Sequence, residues 1–210
     1  KKIERFNSFL DEEDFALSYS SLVGSFSFDE IYSLVKNKNS MNDYQNKINN
    51  LLDNVREQTS FKKAFYLDIY GFLSHNFIIG DKSSMQASIE MRVPLANKEL
   101  LIKNFYEQEN NLLNIFNNKI QLKKILYSIL PRNIVNRKKT GFNPPLDNLI
   151  NSYGEENIRT LLLNSKLTAY LEKDPILKIL SNHFCNVKNN TYKIWQLIYL
   201  ALWLDYAETR

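Results

Sequence analysis

Two short segments hold the residue types that could do chemistry, residues 81–94 and residues 137–146. The first reads Asp-Lys-Ser-Ser-Met-Gln-Ala-Ser-Ile-Glu-Met-Arg-Val-Pro and places two carboxylates and an arginine near a predicted helix end. The second reads Arg-Lys-Lys-Thr-Gly-Phe-Asn-Pro-Pro-Leu and places three consecutive cations before a glycine turn. An acidic and a basic cluster on one fold suit a reaction that handles a carboxylate together with a polyphosphate.

The acidic segment is predicted to lie at the ends of a helix. Asp81 follows Gly80 and begins an Asp-x-x-Ser pattern, so we predict that it caps a helix start. That helix should end close to Pro94, because proline disfavours a helical conformation of the residue before it. Glu90 would then be a carboxylate held at a helix terminus and lining a cleft. The alternative, which spacing alone favours, is an ordinary ion pair between Glu90 and Arg92.

The basic segment is predicted to be a loop. The cations from Arg137 to Lys139 precede Gly141, and a flexible basic loop can wrap a phosphate, with lysine as a point charge and arginine as a fork. Phe142 and the two prolines after it should pin the loop to the core, which would position Lys139. The alternative is a solvated basic loop without a ligand.

Hydrophobic periodicity predicts a mostly helical body with motif loops near residues 80–97 and 136–147. Glycine and proline are scarce, at five residues each, which indicates long helices. Apolar residues recur at helical spacing over residues 61–73, 122–129 and 176–184, and Pro131 must end the second helix. We predict that Asp174 caps the third helix, with Pro175 at its first position. No alternating run predicts a strand, and residues 37–58 are polar enough for a surface helix or loop.

The last helix is predicted to be part of the core. A broad apolar stripe at helical spacing marks its buried face, which we expect to consist of Trp195, Ile198, Tyr199, Leu202, Trp203 and Tyr206. The longest apolar run, residues 194–204, is far shorter than the ~20 residues that span a bilayer.

Composition limits the classes of protein to which this chain can belong. The 210 residues fit one or two domains, and the 44% of hydrophobic residues can supply a core. The net charge of +4 allows an anionic ligand but does not indicate nucleic acid. No secretory signal is visible in these residues, and the single cysteine, Cys185, fits a reducing cytosol as a small buried residue, so a cytoplasmic protein is expected. His75 and His183 have no partner at metal or triad spacing, and no metal site is predicted.

Taken together, the two segments resemble the C-terminal part of the asparagine synthetase family. The family's first motif, Asp-Arg-x-Ser-Met followed by Glu-x-Arg-Val-Pro-Phe-Leu-Asp, is matched at Asp81, Ser84, Met85, Glu90, Arg92, Val93 and Pro94. Its second motif is a lysine and a Leu-Arg pair on a helix, then Leu-Pro, then Arg-x-Lys-x-Gly-Phe with a later proline and leucine. This motif is followed at Lys119, Leu122, Lys123, Leu130, Pro131, Arg137, Lys139, Gly141, Phe142, Pro145 and Leu146. The match is strongest over residues 60–210, and residues 1–59 diverge.

The chain also departs from the family pattern. Lys82 replaces an arginine, and Leu95-Ala96-Asn97 replaces Phe-Leu-Asp, so a family carboxylate becomes an amide at Asn97. The family activates ATP with a Ser-Gly-Gly-x-Asp-Ser loop and helps to hold magnesium with a Gly-Asp-Gly-x-Asp-Glu segment. Neither string occurs in these residues, nor does the glutaminase domain with its cysteine nucleophile. The chain, which opens on lysine, is therefore expected to be a piece of a longer enzyme.

The resemblance implies that residues 1–210 are the C-terminal helical portion of an α/β adenine-nucleotide α-hydrolase-like (PP-loop ATP pyrophosphatase) synthetase domain. In the full protein this portion would pack against a parallel sheet that carries the nucleotide loop. The implied partners are the missing N-terminal synthetase and glutaminase segments, on the same or a separate chain, with a homodimer as a further assembly that the resemblance allows. ATP, Mg²⁺ with ligands outside this chain, and a small carboxylate substrate would complete the site.

The resemblance also implies a two-step reaction that belongs to asparagine biosynthesis. A carboxylate attacks the α-phosphorus of ATP to give an acyl-adenylate and pyrophosphate, and ammonia from glutamine then displaces AMP to form an amide. Lys139 would stabilise charge at the α-phosphate and pyrophosphate, where Arg137 would also bind, unless Arg137 is a structural partner of a carboxylate. Glu90 would orient or deprotonate the incoming amine. The alternatives are amidation of a sugar carboxylate, closure of a peptide or lactam ring, and a non-catalytic scaffold.

Overall fold

The computed structural model describes residues 14–114, 116–138 and 144–207. Over these ranges the backbone is helices and connecting turns without a strand, apart from an isolated antiparallel bridge between Val35 and Leu171. The chain divides into two compact units, the first formed by residues 1–47 and 142–210 and the second by residues 48–141. The predicted mostly helical fold is therefore confirmed.

The helices follow one another with short connections. A π-helical turn at Ile69–Leu73 joins α4 to α5, and a 3-10 turn at Pro94–Ala96 precedes α6. In chain order, the described α-helices are α1 (Phe15–Val23), α2 (Phe28–Leu34), α3 (Asn39–Asp53), α4 (Ser60–Asp68), α5 (Ser74–Met85), α6 (Lys98–Tyr106), α7 (Glu109–Leu112), α8 (Ile120–Leu126), α9 (Arg132–Val135), α10 (Leu146–Tyr153), α11 (Glu155–Asn164), α12 (Leu167–Tyr170), α13 (Lys173–Phe184) and α14 (Thr191–Ala207).

Polar side chains start several of these helices. The Asp14 carboxylate accepts a hydrogen bond from the Ala16 backbone N–H at 2.7 Å and so caps α1. Ser27 and Glu30 form a reciprocal capping box at α2, in which each side chain accepts from the other residue's backbone N–H. Such caps satisfy donors that the first helical turn leaves free, and each is worth about 1 kcal/mol.

The core of the first unit lies between α2, α10, α11, α13 and α14. Ile176 and Leu180 of α13 are fully buried, as their spacing predicts, and they pack with Ile158 and Leu162 of α11. The predicted cap of α13 is wrong, because the helix begins at Lys173, one residue before Asp174. The structure of α3 agrees with the prediction of a surface helix or loop for residues 37–58, since α3 is a largely exposed helix.

The face of α14 that the sequence predicts as buried is instead largely exposed. Ile194, Leu197 and Ala201 enter the core, whereas Tyr199 is 66% exposed and Trp203 is 54% exposed. The physical reason is that α14 is apolar on nearly every side, so periodicity alone does not choose which face packs. The side that meets α10, α11 and α13 is the one with the smaller residues.

The prediction that Cys185 is buried is also wrong. Its side chain is exposed, at the residue that follows the last turn of α13. Asn186, the next residue, has a positive φ of 56°, so the chain turns away from the helix there. Cys185 therefore lies outside the core, although its neighbour in sequence, Phe184, packs against the core.

A partly buried ion pair joins α2 to α14 within the first unit. Lys193 is 5% exposed, and its Nζ contacts the Glu30 carboxylate, which Lys188 also approaches at 3.7 Å. Burial would raise the pKa of Glu30, but the hydrogen bonds from Lys193 and from the Ser27 backbone N–H lower it further than burial raises it. The pKa of Glu30 therefore lies below its ordinary value, and the carboxylate stays charged beside Lys193.

His183 is expected to make the stability of the first unit depend on pH. Its side chain is buried and its Nδ1 accepts a hydrogen bond from the Asn190 backbone N–H, while burial lowers its pKa below the ordinary 6.5, partly opposed by Asp147. The unfolded chain therefore binds a proton more readily, and the free energy of unfolding should fall as the pH drops below about 6.5. Urea unfolding near pH 7.5 and near pH 5.5 should show this loss in the parent chain and less of it in His183→Gln. His75 is exposed, so His75→Gln is the matched control; an equal pH dependence in both variants would contradict the assignment.

The second unit is built around the contact of α4 with α6. Lys62 of α4 is buried, and its ammonium donates to the backbone carbonyls of Phe105 and of Glu107, the latter at 2.7 Å. Cations near a helix C-terminus are favourable, since the last carbonyls lack partners within the helix. Lys62 thereby ties α4 to the end of α6. None of the helices in the described part of the chain is long and apolar enough to cross a bilayer.

Candidate functional site

The acidic segment begins inside a helix and not at its start. Asp81 lies in the interior of α5, so the prediction that it caps a helix is wrong. The helix runs through Gly80, because one glycine costs only about 1 kcal/mol relative to alanine. It ends at Met85, well before Pro94, and Glu90 therefore lies in the connection beyond the helix and not at its terminus.

A tight turn sets the direction of the chain before Glu90. The Ile89 backbone N–H donates to the Ser84 carbonyl at 3.0 Å, and the Ser88 N–H donates to the Met85 carbonyl at 2.9 Å. These two bonds form a Schellman motif, whose turning residue takes a left-handed conformation. Ser88 has a φ of 58°, in a place where glycine is usual. Serine gives little sequence signal for such a turn, which is why the early end of α5 is not predictable from residue types.

The strained turn gives a stability prediction. A non-glycine residue in the left-handed region costs roughly 1–2 kcal/mol, so Ser88→Gly should raise the free energy of unfolding by about 1 kcal/mol. Gln86 in the same turn has an ordinary φ of −59°, and Gln86→Gly should lower stability by roughly 0.5–1 kcal/mol. Equilibrium unfolding in urea measures both changes. Destabilisation of equal size by both substitutions would show that the turn is not strained at Ser88.

The structure brings Glu90 and Arg92 together as an exposed pair. The Arg92 Nη2 lies 3.0 Å from each carboxylate oxygen of Glu90, and the two side chains are 65% exposed for Glu90 and 80% exposed for Arg92. An exposed pair of this kind is worth about 0–1 kcal/mol, so it adds little to the fold. The Glu90 carboxylate is therefore open to a ligand, with a guanidinium beside it.

Asn97 has a structural role that explains why an amide suffices there. Its Oδ1 accepts a hydrogen bond from the Glu99 backbone N–H at 2.7 Å, and it caps α6 directly after the 3-10 turn. Asparagine and aspartate are comparable as N-caps, since the cap needs an oxygen acceptor and not a charge. The substitution of the family carboxylate by Asn97 is thus compatible with an unchanged backbone at this position.

The basic segment follows α8 and α9. The Tyr127 hydroxyl donates to Asn136 Oδ1 at 2.7 Å and links the end of α8 to the residue after α9. Arg137 and Lys138 come next, and both are exposed. Lys139 and residues 140–143, which include the predicted pinning by Phe142, lie outside the described residues. The joint action of Lys139 and Glu90 therefore stays a prediction, and the Tyr127 contact is a feature that the sequence analysis missed.

An aromatic groove between α4 and α6 was also missed. Its volume is about 380 Å³, and Tyr66, Tyr70, Lys98, Phe105 and Tyr106 are among its lining residues. The hydrogen bond between Tyr66 and Tyr70 raises the pKa of the Tyr66 hydroxyl. The aromatic residues spaced along α4 and the π-helical turn were a signal of this groove, but the same spacing is typical of core residues.

The described residues offer no metal centre of their own. Within residues 14–114, 116–138 and 144–207, no group of three His, Cys, Asp or Glu side chains is placed to hold a metal ion. The candidate site in the described part of this chain consists of the exposed Glu90 with Arg92, and of the exposed cations Arg137 and Lys138.

Comparisons with known proteins find relatives that are named asparagine synthetases. The chain is 27% identical over 176 residues to "Asparagine synthetase (glutamine-hydrolyzing) 1" of Bacillus subtilis, covering 81% of this chain and 27% of the relative. It is 22% identical over 141 residues to "Putative asparagine synthetase (glutamine-hydrolyzing)" of Mycobacterium tuberculosis, covering 66% of this chain and 22% of the relative. This chain thus spans about a quarter of the length of the curated relatives it matches. No solved structure matched it.

The family model described as "Asparagine synthase" matches residues 7–205, nearly the whole chain. Its synthetase domain is of the adenine-nucleotide α-hydrolase-like type, in agreement with the predicted fold class. The chain belongs to the asparagine synthase family.

Proposed function

We propose that this chain supplies amine-handling and phosphate-handling side chains of an ATP-dependent, amide-forming synthetase. The observation that carries the proposal is the open Glu90–Arg92 pair, which stands in a motif of a family whose relatives here are named asparagine synthetases. A carboxylate that is exposed and adds little to stability is free to act on a ligand.

In the proposed reaction, a carboxylate oxygen of the substrate forms a bond to the α-phosphorus of ATP, and the bond to pyrophosphate breaks. Ammonia then forms a bond to the acyl carbon, and AMP leaves with the electron pair of the C–O bond. Glu90 orients the incoming ammonia and takes the proton that it loses. Lys139, with Arg137 nearby in sequence, offsets the negative charge on the α-phosphate and the leaving pyrophosphate.

Aspartate is the proposed carboxylate, and glutamine the proposed source of ammonia. The printed names of the relatives support both, since they describe glutamine-hydrolysing asparagine synthetases. Asn97 does not favour a different substrate, because its side chain caps α6 and this function needs no charge. Amidation of a sugar carboxylate and closure of a lactam ring remain the alternative outcomes of a substrate test.

The nucleotide loop, the Mg²⁺ ligands and the glutaminase are proposed to lie in other synthetase segments. The exposed apolar face of α14 supports such a partner, because contiguous apolar patches of this kind mark interfaces. A groove of about 340 Å³ beside this face is lined by residues of α10, α11 and α14, including Tyr153 and Trp195. The second unit separately exposes Phe72, Ile79 and Ile129.

The test is carboxylate-dependent exchange of pyrophosphate into ATP, with and without the nucleotide-binding segment of the synthetase. We expect no exchange by residues 1–210 alone, and aspartate-dependent exchange when the two parts are together. ATP–pyrophosphate exchange by this chain alone would overturn the proposal that the nucleotide loop and the Mg²⁺ ligands lie in other segments. If the complete protein showed no exchange with any carboxylate tested, the enzyme proposal would be overturned in favour of a non-catalytic scaffold.

A further inference from the structure

Gly80 lies in the interior of α5, where alanine would stabilise the helix more. A glycine in such a place calls for a packing reason, and the structure supplies one. A Cβ added to Gly80 would lie 2.5 Å from Met91 Cε and 2.9 Å from Met91 Sδ. The end of the Met91 side chain therefore occupies the space that any other residue at position 80 would need.

This contact folds the acidic segment back along α5. The Ser88 turn reverses the chain directly after the helix, and Met91 then reaches a position five residues before the last residue of α5. The turn bond from Ile89 to Ser84 and the packing of Met91 on Gly80 hold the chain on either side of Glu90. The exposed side-chain pair with Arg92 cannot fix the backbone in the same way.

We infer that Gly80 and Met91 are positioning residues that set where the Glu90 carboxylate stands. This inference rests on the proposed function, in which Glu90 handles the incoming amine. A shift of about 1 Å in a reacting group can cost on the order of 100-fold in rate, so small packing changes should be visible in turnover.

The expected effect of Gly80→Ala separates positioning from helix stability. The added methyl group displaces the end of Met91 from α5, so the segment around Glu90 loses this anchor without a backbone clash, and alanine favours the helix. The melting temperature should therefore stay the same or rise, while amide formation falls about 10-fold in kcat with an unchanged KM for ATP. ATP–pyrophosphate exchange should be unaffected, since Glu90 is proposed to act after adenylation. Unchanged amide formation would overturn the inference.

A compensating change provides the second arm. Gly80→Ala combined with Met91→Leu adds a methyl group at one position and shortens the reach of the side chain at the other, so the two side chains can pack together without the clash. We expect this double variant to recover amide formation to within about threefold of the parent enzyme. Gly71→Ala is the matched control, because a Cβ on Gly71 meets nothing within 4 Å, and it should leave turnover unchanged. A double variant no better than Gly80→Ala would contradict the proposed contact.

Two further measurements separate failure of this inference from failure of the proposed function. Hydrogen exchange of the Ile89 amide, followed in the 210-residue chain itself, should be faster in Gly80→Ala than in Gly71→Ala. In the complete synthetase, Gly80→Ala should have little added effect when Glu90 is already glutamine, because both act through one carboxylate. Suppose that hydrogen exchange of Ile89 is faster in Gly80→Ala while Glu90→Gln forms amide at the parent rate: this would overturn the role of Glu90 and keep the packing contact. Unchanged hydrogen exchange, together with a large loss of amide formation in Glu90→Gln, would overturn only the positioning role of Gly80 and Met91.

Discussion

Replacement of Glu90 by glutamine is expected to lower amide formation by about 100-fold or more, the usual scale for a positioned acid or base. The substitution keeps the shape of the side chain and removes its charge and its capacity to take a proton. The melting temperature should hardly change, because the pair that is lost is exposed and worth about 0–1 kcal/mol. The measurements are ammonia-dependent amide formation and thermal unfolding of the complete synthetase.

The matched control is Arg92→Gln, which breaks the same pair and leaves the Glu90 carboxylate in place. A purely structural pair predicts that the two variants behave alike, with near-normal turnover and slight destabilisation. The catalytic role predicts a much larger loss for Glu90→Gln. Because Glu90 is proposed to act on the amine, its loss should spare ATP–pyrophosphate exchange, and equal loss of exchange and amide formation would exclude that role.

Several helices could be predicted from the sequence because their apolar residues recur at helical spacing and breakers are few. On α13, Ile176 and Leu180 are at predicted positions of the buried face, and both are fully buried. The face of α14 could not be predicted, since a helix that is apolar on nearly every side carries no preferred direction. Which side packs depends on the helices beside it, and that information lies elsewhere in the chain.

The motifs of the candidate site could be located from the sequence, but their geometry could not. Glycine is read as a helix breaker, so Gly80 suggested a helix start at Asp81, whereas α5 continues through it because one glycine costs only about 1 kcal/mol. The turn at Ser88 lacks its usual glycine and gave no signal at all. The pairing of Glu90 with Arg92, which needs only local chain geometry, was predictable as an alternative and is present.

Lys139→Ala is expected to lower both ATP–pyrophosphate exchange and amide formation by about 100-fold, the scale on which loss of one charge-stabilising donor acts. Its ammonium is proposed to offset charge that develops on the α-phosphate and pyrophosphate during the first step. Loss of the first step must reduce both readouts, in contrast to Glu90→Gln. Stability is expected to change little, because the Lys139 ammonium is proposed to act on a ligand and not to hold the fold together.

Lys138 provides the matched control, because it is the neighbouring cation and its side chain is exposed. Lys138→Ala removes the same net charge from the segment, so a general electrostatic effect would cause a similar loss of rate in the two variants. Salt screens such an effect, so both losses would become smaller at higher salt. A specific contact at the phosphate predicts that Lys138→Ala stays near the parent rate while Lys139→Ala does not. Lys139→Arg should recover only part of the rate, because a planar fork does not replace a point charge at one oxygen. Near-parental exchange by both alanine variants would show that the basic segment is a solvated surface, and the catalytic role in this chain would then rest on Glu90 alone.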